Sequence, residues 1–381
     1  MESVVVIVGA GPAGLAVSAC LFMLSIPFLI LEKDNCIGSL WKKRAYDRLR
    51  LHLAKQFCEL PYMAFPREMP TFIPKDDFIR YLDNYTLHFG INPIYHMNVE
   101  SATYDEQEQK WEIKATNVVT NETNHYCARF IVVASGENSM GYIPNLPGMS
   151  SFNGEVLHSS DFKSGRGYTG KSVLVIGSGN SGMEIAHDLA THGAMTTISV
   201  RSPVHIVNKE LIYLGMTLLK YLPMKIVDRI IVFLAWLKFG DLSNYGIVRP
   251  NMGPFMQKAV TGLSPTIDVG AVENIKAGQI QVQPAISNIV GSEVTFSNGQ
   301  AVHYETIIFA TGYRSTASAW FKDGGYMLSS DGLPAQRIPH HWKGNNGAYC
   351  AGLSKQGLHG ISVDARNIAT DISQILLARN M

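Results

Sequence analysis

The chain has 381 residues, which is enough for two domains of ordinary size. Its 32 lysines and arginines nearly balance its 31 aspartates and glutamates, so we expect a small-molecule partner, with no nucleic acid and no membrane contact. The five cysteines form neither a CxxC pair nor a zinc-binding spacing, which predicts reduced thiols in a cytoplasmic protein without a disulfide scaffold or a metal site.

The first predicted element is an apolar strand, residues 4–8, with no basic segment ahead of it, so no secretory signal is predicted. The strand leads into the turn Gly9-Ala10-Gly11-Pro12-Ala13-Gly14 and then a helix. In such a GxGxxG loop the first glycine allows the turn, the second lets backbone approach a pyrophosphate, and the third lets the helix pack on the sheet. The pyrophosphate then faces the N-terminus of the helix.

Glu32 ends the second predicted strand, about 20 residues after the loop, where dinucleotide-binding folds place an acidic residue. A carboxylate there can accept hydrogen bonds from a ribose diol and would repel a 2′-phosphate. The first loop is therefore predicted to bind FAD or NAD rather than NADP. In the following turn, Trp41 carries an indole large enough to lie along a flavin ring.

The next segment, residues 44–74, is predicted to be irregular, either an active-site loop or a packed surface loop. An amphipathic helix then opens at Lys75, with a core stripe at helical spacing: Phe78, Tyr81, Leu82 and Tyr85. Strands are predicted over 95–104 and 111–115. A further apolar strand, residues 130–134, ends at Ser135-Gly136, where the chain can pass close to a bound dinucleotide.

The pattern then restarts. A strand over 172–176 leads into Gly177-Ser178-Gly179-Asn180-Ser181-Gly182, a helix, and a strand that ends at Arg201. Arg201 stands where Glu32 stands in the first copy, and a guanidinium there can pair with a phosphate and stack on adenine, so the second loop is predicted to bind NADP. A strand before Thr311-Gly312 repeats the one before Gly136.

This repeat predicts an α/β fold of two nested Rossmann-like dinucleotide-binding domains, with the NADPH domain inserted in the FAD domain. The FAD domain is expected to comprise residues 1–165 and 315–381, with linker sequence over 138–170. The NADPH domain is expected to comprise residues 170–314. The C-terminal stretch has no mononucleotide unit of its own, so we expect it to complete the first domain.

The most apolar segment, residues 211–239, is interrupted by charged residues and by Pro223. Its longest clean run is far shorter than the roughly 20 residues that a membrane span needs. We interpret it as a buried or pocket-lining helix pair, with a membrane-surface patch as the alternative.

Two dinucleotide sites imply hydride transfer from NADPH to FAD. Since no CxxC pair is present, the electrons are expected to leave to a diffusible acceptor, such as a quinone or carrier protein, or to molecular oxygen. The segment 152–162 fits FxGxxxHxxx(Y/F), with Phe152, Gly154 and His158 on the predicted inter-domain linker. This pattern is typical of flavin-containing monooxygenases and the related Baeyer–Villiger enzymes.

Further segments match one branch of these enzymes, namely GSLWKKR at 38–44, His52 with KQFCELP at 55–61, GEN at 136–138 and FATGY at 309–313. Over essentially its whole length the chain resembles the YUCCA-type flavin monooxygenases of plants. The resemblance implies oxidative decarboxylation of indole-3-pyruvate, an aromatic 2-oxo acid, to the auxin indole-3-acetate with NADPH, O₂ and FAD through a C4a-peroxyflavin. The alternatives are an N- or S-oxygenase of small amines or sulfides, a flavin-loaded sensor, and an NADPH oxidase that releases hydrogen peroxide.

The resemblance also implies site residues. The candidates for the catalytic site are His52, Lys55 and His158. The candidates for cofactor binding are the two loops and the residues beside them, namely Gly9, Ala10, Gly11, Pro12, Ala13, Gly14, Glu32, Lys33, Ser39, Leu40, Trp41, Gly136, Gly177, Ser178, Gly179, Asn180, Ser181, Gly182, Arg201, Ser202, Thr311 and Gly312. His52 stands where animal-type relatives carry Asn, which leaves its role open, and Ala54 and Ser135 replace the usual Pro and Thr.

Overall fold

The structure is a computed structural model that describes residues 1–322 and 325–379. Its strands are β1 (Glu2–Val8), β2 (Phe28–Leu31), β3 (Met97–Asp105), β4 (Lys110–Asn117), β5 (Thr123–Val133), β6 (Met140–Gly141), β7 (Glu155–His158), β8 (Ser172–Ile176), β9 (Met195–Ser199), β10 (Ile206–Val207), β11 (Thr266–Ile267), β12 (Ile280–Gln283), β13 (Ile286–Val290), β14 (Glu293–Phe296), β15 (Ala301–His303), β16 (Thr306–Phe309), β17 (Tyr313–Arg314) and β18 (Ala348–Cys350). Its helices are α1 (Pro12–Met23), α2 (Lys75–His88), α3 (Asn180–Thr191), α4 (Lys209–Leu218), α5 (Met224–Phe239), α6 (Pro254–Thr261), α7 (Ala271–Lys276), α8 (Ala317–Trp320) and α9 (Gly357–Arg379).

The chain divides into two compact units. The first unit comprises Met1–Arg44, Ala54–Met140 and Tyr313–Met381, and the second comprises Ala45–Leu53 and Gly141–Gly312. Two segments expected in the first domain, residues 45–53 and 141–165, lie instead in the second unit. The reason is packing, since β7 pairs with β16 along its whole length and the side chains of Tyr46, Leu49 and Leu53 join the core of the second unit.

The first unit is built on a sheet with the strand order β2-β1-β5-β4-β3, and β18 lies beside β5. Strands β2, β1, β5 and β18 run parallel, so Ile7 lies opposite both Ile30 and Val132. The central residues of β1 are fully buried, as expected for a parallel strand that is covered on both faces. The C-terminal stretch contributes β18 to this sheet.

The second unit contains a parallel sheet with the order β12-β9-β8-β16-β7. Strand β8 lies between β9 and β16 in this sheet, so the connections to its two neighbours lie on opposite sides of it. In doubly wound folds, ligands bind at the carboxyl ends of the strands at such a point. The predicted α/β fold with two Rossmann-type units is confirmed.

The apolar segment 211–239 forms two helices, α4 and α5, with Pro223 between them. Helix α5 buries Val227, Ile231, Ala235 and Phe239 in the core, but Phe233 and Trp236 on its other side are exposed. The predicted buried helix pair is therefore wrong for one face of α5. Among the described residues, no helix combines the length and the hydropathy that a membrane span requires.

Candidate cofactor and active site

The first glycine-rich loop joins β1 to α1, and its glycines have different surroundings. Gly9 has a φ of 109°, and a Cβ there would lie 2.5 Å from the carbonyl oxygen of Ala134. A Cβ on Gly14 would lie 1.9 Å from the carbonyl oxygen of Gly9, whereas a Cβ on Gly11 would meet nothing within 4 Å. The protein itself thus requires Gly9 and Gly14, while Gly11 borders open space.

That open space lies at the N-terminus of α1. No side chain caps this helix, because Gly11 occupies the cap position, so its first N–H groups are available to an anion. Nearby, the hydroxyl of Ser135 is buried and has no hydrogen-bond partner among the described residues. An uncapped helix, a glycine without a neighbour and an unsatisfied hydroxyl fit the pyrophosphate of a dinucleotide.

Glu32 follows β2 and is 7% exposed. Its Oε2 accepts the N–H of Ala10 at 2.6 Å, and its Oε1 accepts the N–H of Asp34 at 2.9 Å. Burial raises the pKa of the Glu32 carboxyl, and these two hydrogen bonds oppose that rise. Each carboxylate oxygen has a further lone pair, so Glu32 can also accept hydrogen bonds from a ribose diol.

The second loop has the same geometry as the first. Gly177 has a φ of 113°, and a Cβ there would lie 2.5 Å from the carbonyl oxygen of Ala310. A Cβ on Gly182 would lie 1.9 Å from the carbonyl oxygen of Gly177, and one on Gly179 would meet nothing. Helix α3 begins after Gly179 without a side-chain cap. The second loop therefore also fits a pyrophosphate.

The residues that follow β5 in the first unit and β16 in the second are also equivalent. Gly136 has a φ of 86° and Gly312 has a φ of 87°, and at both positions a Cβ would point into open space. Arg201 and Ser202, just beyond β9, are exposed. A phosphate could reach the Arg201 guanidinium without displacing any neighbour that the structure shows for it.

The first unit places Trp41 against α2. The Trp41 and Phe78 rings meet edge to face, with centroids 4.6 Å apart. Trp41, Ser39 and Leu40 are half-buried, whereas Lys33 is exposed. One side of the Trp41 indole is thus occupied by a core aromatic residue.

A hydrogen-bonded cluster in the second unit surrounds Glu184, which is 2% exposed. Its Oε1 lies 2.8 Å from Nε2 of His52, and its Oε2 accepts the hydroxyl of Tyr46 at 3.0 Å. The Nδ2 of Asn180 lies 3.2 Å from Nδ1 of His52. The cluster brings the predicted His52 and Asn180 together with Glu184 and Tyr46, neither of which was a predicted site residue.

The proton positions in this cluster follow from one backbone contact. The Oδ1 of Asn180 accepts the N–H of Ile267 at 2.7 Å, which fixes the orientation of the amide. The amide NH₂ therefore donates to Nδ1 of His52, and the proton of a neutral His52 lies on Nε2, where it is donated to Glu184. Glu184 accepts two hydrogen bonds as a carboxylate, which satisfies this buried charge.

Lys55 is hydrogen-bonded by backbone groups of the protein. The ammonium of Lys55 donates to the carbonyl oxygens of Pro66, Arg67 and Met69 at 3.0, 3.0 and 2.7 Å. These bonds use all three of its protons, so Lys55 holds a loop of the first unit rather than presenting a free cation.

His158 is 4% exposed at the end of β7. Its Nε2 lies 3.0 Å from the carbonyl oxygen of Gly312, and its Nδ1 accepts the N–H of Ser160 at 3.2 Å. Burial lowers the pKa of His158 because it disfavours the imidazolium. His158 is therefore a neutral positioning residue that connects β7 to the end of β16.

The glycine of the FxGxxxH segment also has a structural role. A Cβ on Gly154 would lie 2.3 Å from the carbonyl oxygen of Glu305 and 2.7 Å from the ring of Phe152. Only glycine leaves room for both neighbours, so packing within the protein accounts for Gly154 and no ligand contact is needed to explain it.

The sheets and loops define a Rossmann-type protein with two dinucleotide-binding loops. The family model described as flavin-binding monooxygenase-like matches residues 2–324. "Probable indole-3-pyruvate monooxygenase YUCCA10" of Arabidopsis thaliana is 53% identical, with 99% of this chain and 98% of that protein covered. "Indole-3-pyruvate monooxygenase YUCCA8" of Oryza sativa subsp. indica is 42% identical, with 97% and 90% covered. The chain belongs to the flavin-binding monooxygenase-like family, within its YUCCA branch.

A solved structure shares the fold. The flavin-containing monooxygenase from Stenotrophomonas maltophilia superposes with a TM-score of 0.73 at 16% identity, with 98% of this chain and 99% of that chain covered. At this identity the likeness concerns the fold alone.

Proposed function

We propose that the protein is an FAD- and NADPH-dependent monooxygenase that converts indole-3-pyruvate to indole-3-acetate. One O₂ and one NADPH with a proton would be consumed, and CO₂, water and NADP⁺ released, so that one oxygen atom enters the new carboxylate. The names of the close relatives supply the substrate. The observation that carries the cofactors is the pair of glycine loops, each with one glycine that borders open space.

We assign FAD to the loop of the first unit and NADPH to that of the second. Glu32 would accept the hydroxyls of the FAD ribose, and Arg201 would hold the 2′-phosphate of NADPH. When bound, the two cofactors supply the reducing equivalents and the activation of oxygen. The other residues of the two loops would donate backbone N–H groups to the cofactor phosphates or, like Gly11 and Gly179, would leave space for them.

The catalytic candidates support a reaction that needs no acid–base residue. Each of Lys55, His52 and His158 has its nitrogen atoms engaged by the protein. Loss of CO₂ from a 2-oxo acid cleaves a carbon–carbon bond and needs no side chain to protonate a leaving amine or alcohol. These residues would therefore act by holding backbone and ring positions rather than by transferring protons.

The test is a coupled measurement on the flavin-loaded enzyme with indole-3-pyruvate, NADPH and air. NADPH consumption, indole-3-acetate, CO₂ and hydrogen peroxide are quantified together, with phenylpyruvate as a second 2-oxo acid. We expect equal amounts of indole-3-acetate, CO₂ and oxidised NADPH, with little hydrogen peroxide. NADPH oxidation that yields only peroxide would remove the substrate assignment, and amines and sulfides would then be assayed for oxygen transfer.

A further inference from the structure

The exposed side of helix α5 combines large apolar and basic side chains. Ile226, Phe233, Trp236 and Leu237 are 46, 57, 50 and 58% exposed, although each is a residue type that usually lies inside. Their spacing of three, four and seven residues places them on one face of the helix. The rings of Phe233 and Trp236 stack, with centroids 6.4 Å apart.

Two cations accompany this face. Lys225 and Arg229 of α5 are both exposed, and Arg229 lies three residues after Ile226 and four before Phe233. Residues 211–240 contain four basic residues and one acidic residue, whereas the whole chain has a formal charge of only +1.

The single acidic residue between 211 and 240 is turned inward. Asp228 is 6% exposed, and its oxygens accept the N–H groups of Phe255 and Met256 at 2.8 and 3.1 Å, at the start of α6. Its charge is thus used to hold α6 against α5. We name the exposed set Ile226, Phe233, Trp236 and Leu237 with Lys225 and Arg229 the α5 face. It carries positive charge without an exposed acid among residues 211–240.

We propose that the α5 face docks on an anionic lipid surface, with α5 parallel to the membrane plane. A basic amphipathic helix with Trp and Phe on its exposed side has the chemistry of an interfacial helix, since the rings enter the headgroup region while the cations meet lipid phosphates. The buried side of α5 stays in the protein core, so docking needs no unfolding. The proposal takes up the membrane-surface patch that the sequence left as the alternative for residues 211–239, against the expectation of no membrane contact from overall charge.

A second copy of the chain fits the face less well. A two-fold interface places the same patch on both partners, so Lys225 and Arg229 would meet the same cations on the other copy. Anionic lipid instead complements every cation of the face.

The test is co-sedimentation of the flavin-loaded protein with vesicles of phosphatidylcholine, either alone or with about a third phosphatidylserine. Binding is expected only to the anionic vesicles, with a loss at high salt. The double variants Phe233→Ser/Trp236→Ser and Lys225→Glu/Arg229→Glu are each expected to reduce the bound fraction at least about fivefold. The matched control is Val118→Ser/Val119→Ser, which alters two exposed valines of the first unit and should bind as the wild type does.

Thermal unfolding and flavin content, unchanged in all three variants, would establish that the fold is intact. Wild-type protein that stays in the supernatant with anionic vesicles would overturn the proposal, as would α5-face variants that bind like the control. Concentration-dependent dimers that disappear in Phe233→Ser/Trp236→Ser, without vesicle binding, would identify the face as an interface between copies and would also overturn it.

Discussion

The amide nitrogen of Asn180 donates to Nδ1 of His52 across 3.2 Å, although the two residues are far apart in sequence. Asn180 is part of the second glycine loop, and His52 belongs to the short segment Ala45–Leu53 of the same unit. The contact therefore couples the start of α3 to that segment, and through Nε2 of His52 to the buried Glu184.

Removal of the Glu184 carboxylate is expected to destabilise the second unit. Glu184→Ala leaves the Nε2–H of His52 and the hydroxyl of Tyr46 without an acceptor, at a cost of about 3 kcal/mol in the free energy of unfolding. Tyr46→Phe removes one hydrogen bond and leaves the ring in the core, at a cost of about 1 kcal/mol. Denaturant unfolding of both variants measures the difference, and equal losses would show that the carboxylate is not the centre of the cluster.

The two kinds of glycine in the first loop are expected to respond differently to alanine. Gly11→Ala should fold normally, because its Cβ meets no protein atom, but should lose flavin, because the methyl group occupies the space assigned to the pyrophosphate. Gly14→Ala should lose stability, by about 3 kcal/mol or more, because its Cβ would meet the Gly9 carbonyl oxygen. Flavin absorbance per protein and thermal unfolding separate the two effects. A stable Gly11→Ala that retains full flavin would contradict the assignment.

Arg201→Ala is expected to raise the KM for NADPH at least about tenfold, equivalent to about 1.4 kcal/mol of binding, with a much smaller change for NADH. The reason is the loss of a bidentate partner for the 2′-phosphate. Arg166→Ala, on another exposed strand connection of the same unit, is the control and should leave both constants unchanged. Equal changes for NADPH and NADH would indicate that Arg201 does not contact the phosphate.

The stability of the second unit is expected to fall in mild acid. Burial lowers the folded-state pKa of His158 below the unfolded value of about 6.5, so this residue contributes stability above that pH. The contribution is lost as the pH falls from about 6.5 through the folded-state pKa, because the unfolded chain takes up the proton first. Unfolding free energies at pH 7.5 and 5.5 should differ less in His158→Gln than in the wild type. A variant with the same pH dependence would exclude His158 as the source.

Local sequence rules account for the parts of the site that were predicted. The glycine loops, Glu32 and Arg201 lie within single strand–loop–helix–strand units, where spacing fixes position. The core stripe of α2, Phe78, Tyr81, Leu82 and Tyr85, is buried as its helical period predicts.

The features that were missed depend on contacts between distant residues. Asn180 and Glu184 are one helical turn apart, which places them on one face of α3, but nothing local brings His52 to that face. Lys55 was a catalytic candidate, and nothing in the sequence indicates the three backbone carbonyls that accept its protons. An exposed side of α5 was predicted only as the alternative, because hydropathy summed along a helix does not report which face the core covers.

The segment Ala45–Leu53 limits how the molecule can be divided. A gene fragment for residues 141–312 would encode the whole parallel sheet of the second unit, yet it would lack Tyr46, His52 and the apolar side chains that accompany them in its core. Glu184 would then lose both of its hydrogen-bond donors. The second unit is therefore not a portable module, and chimaeras between relatives would have to exchange this nine-residue segment together with it.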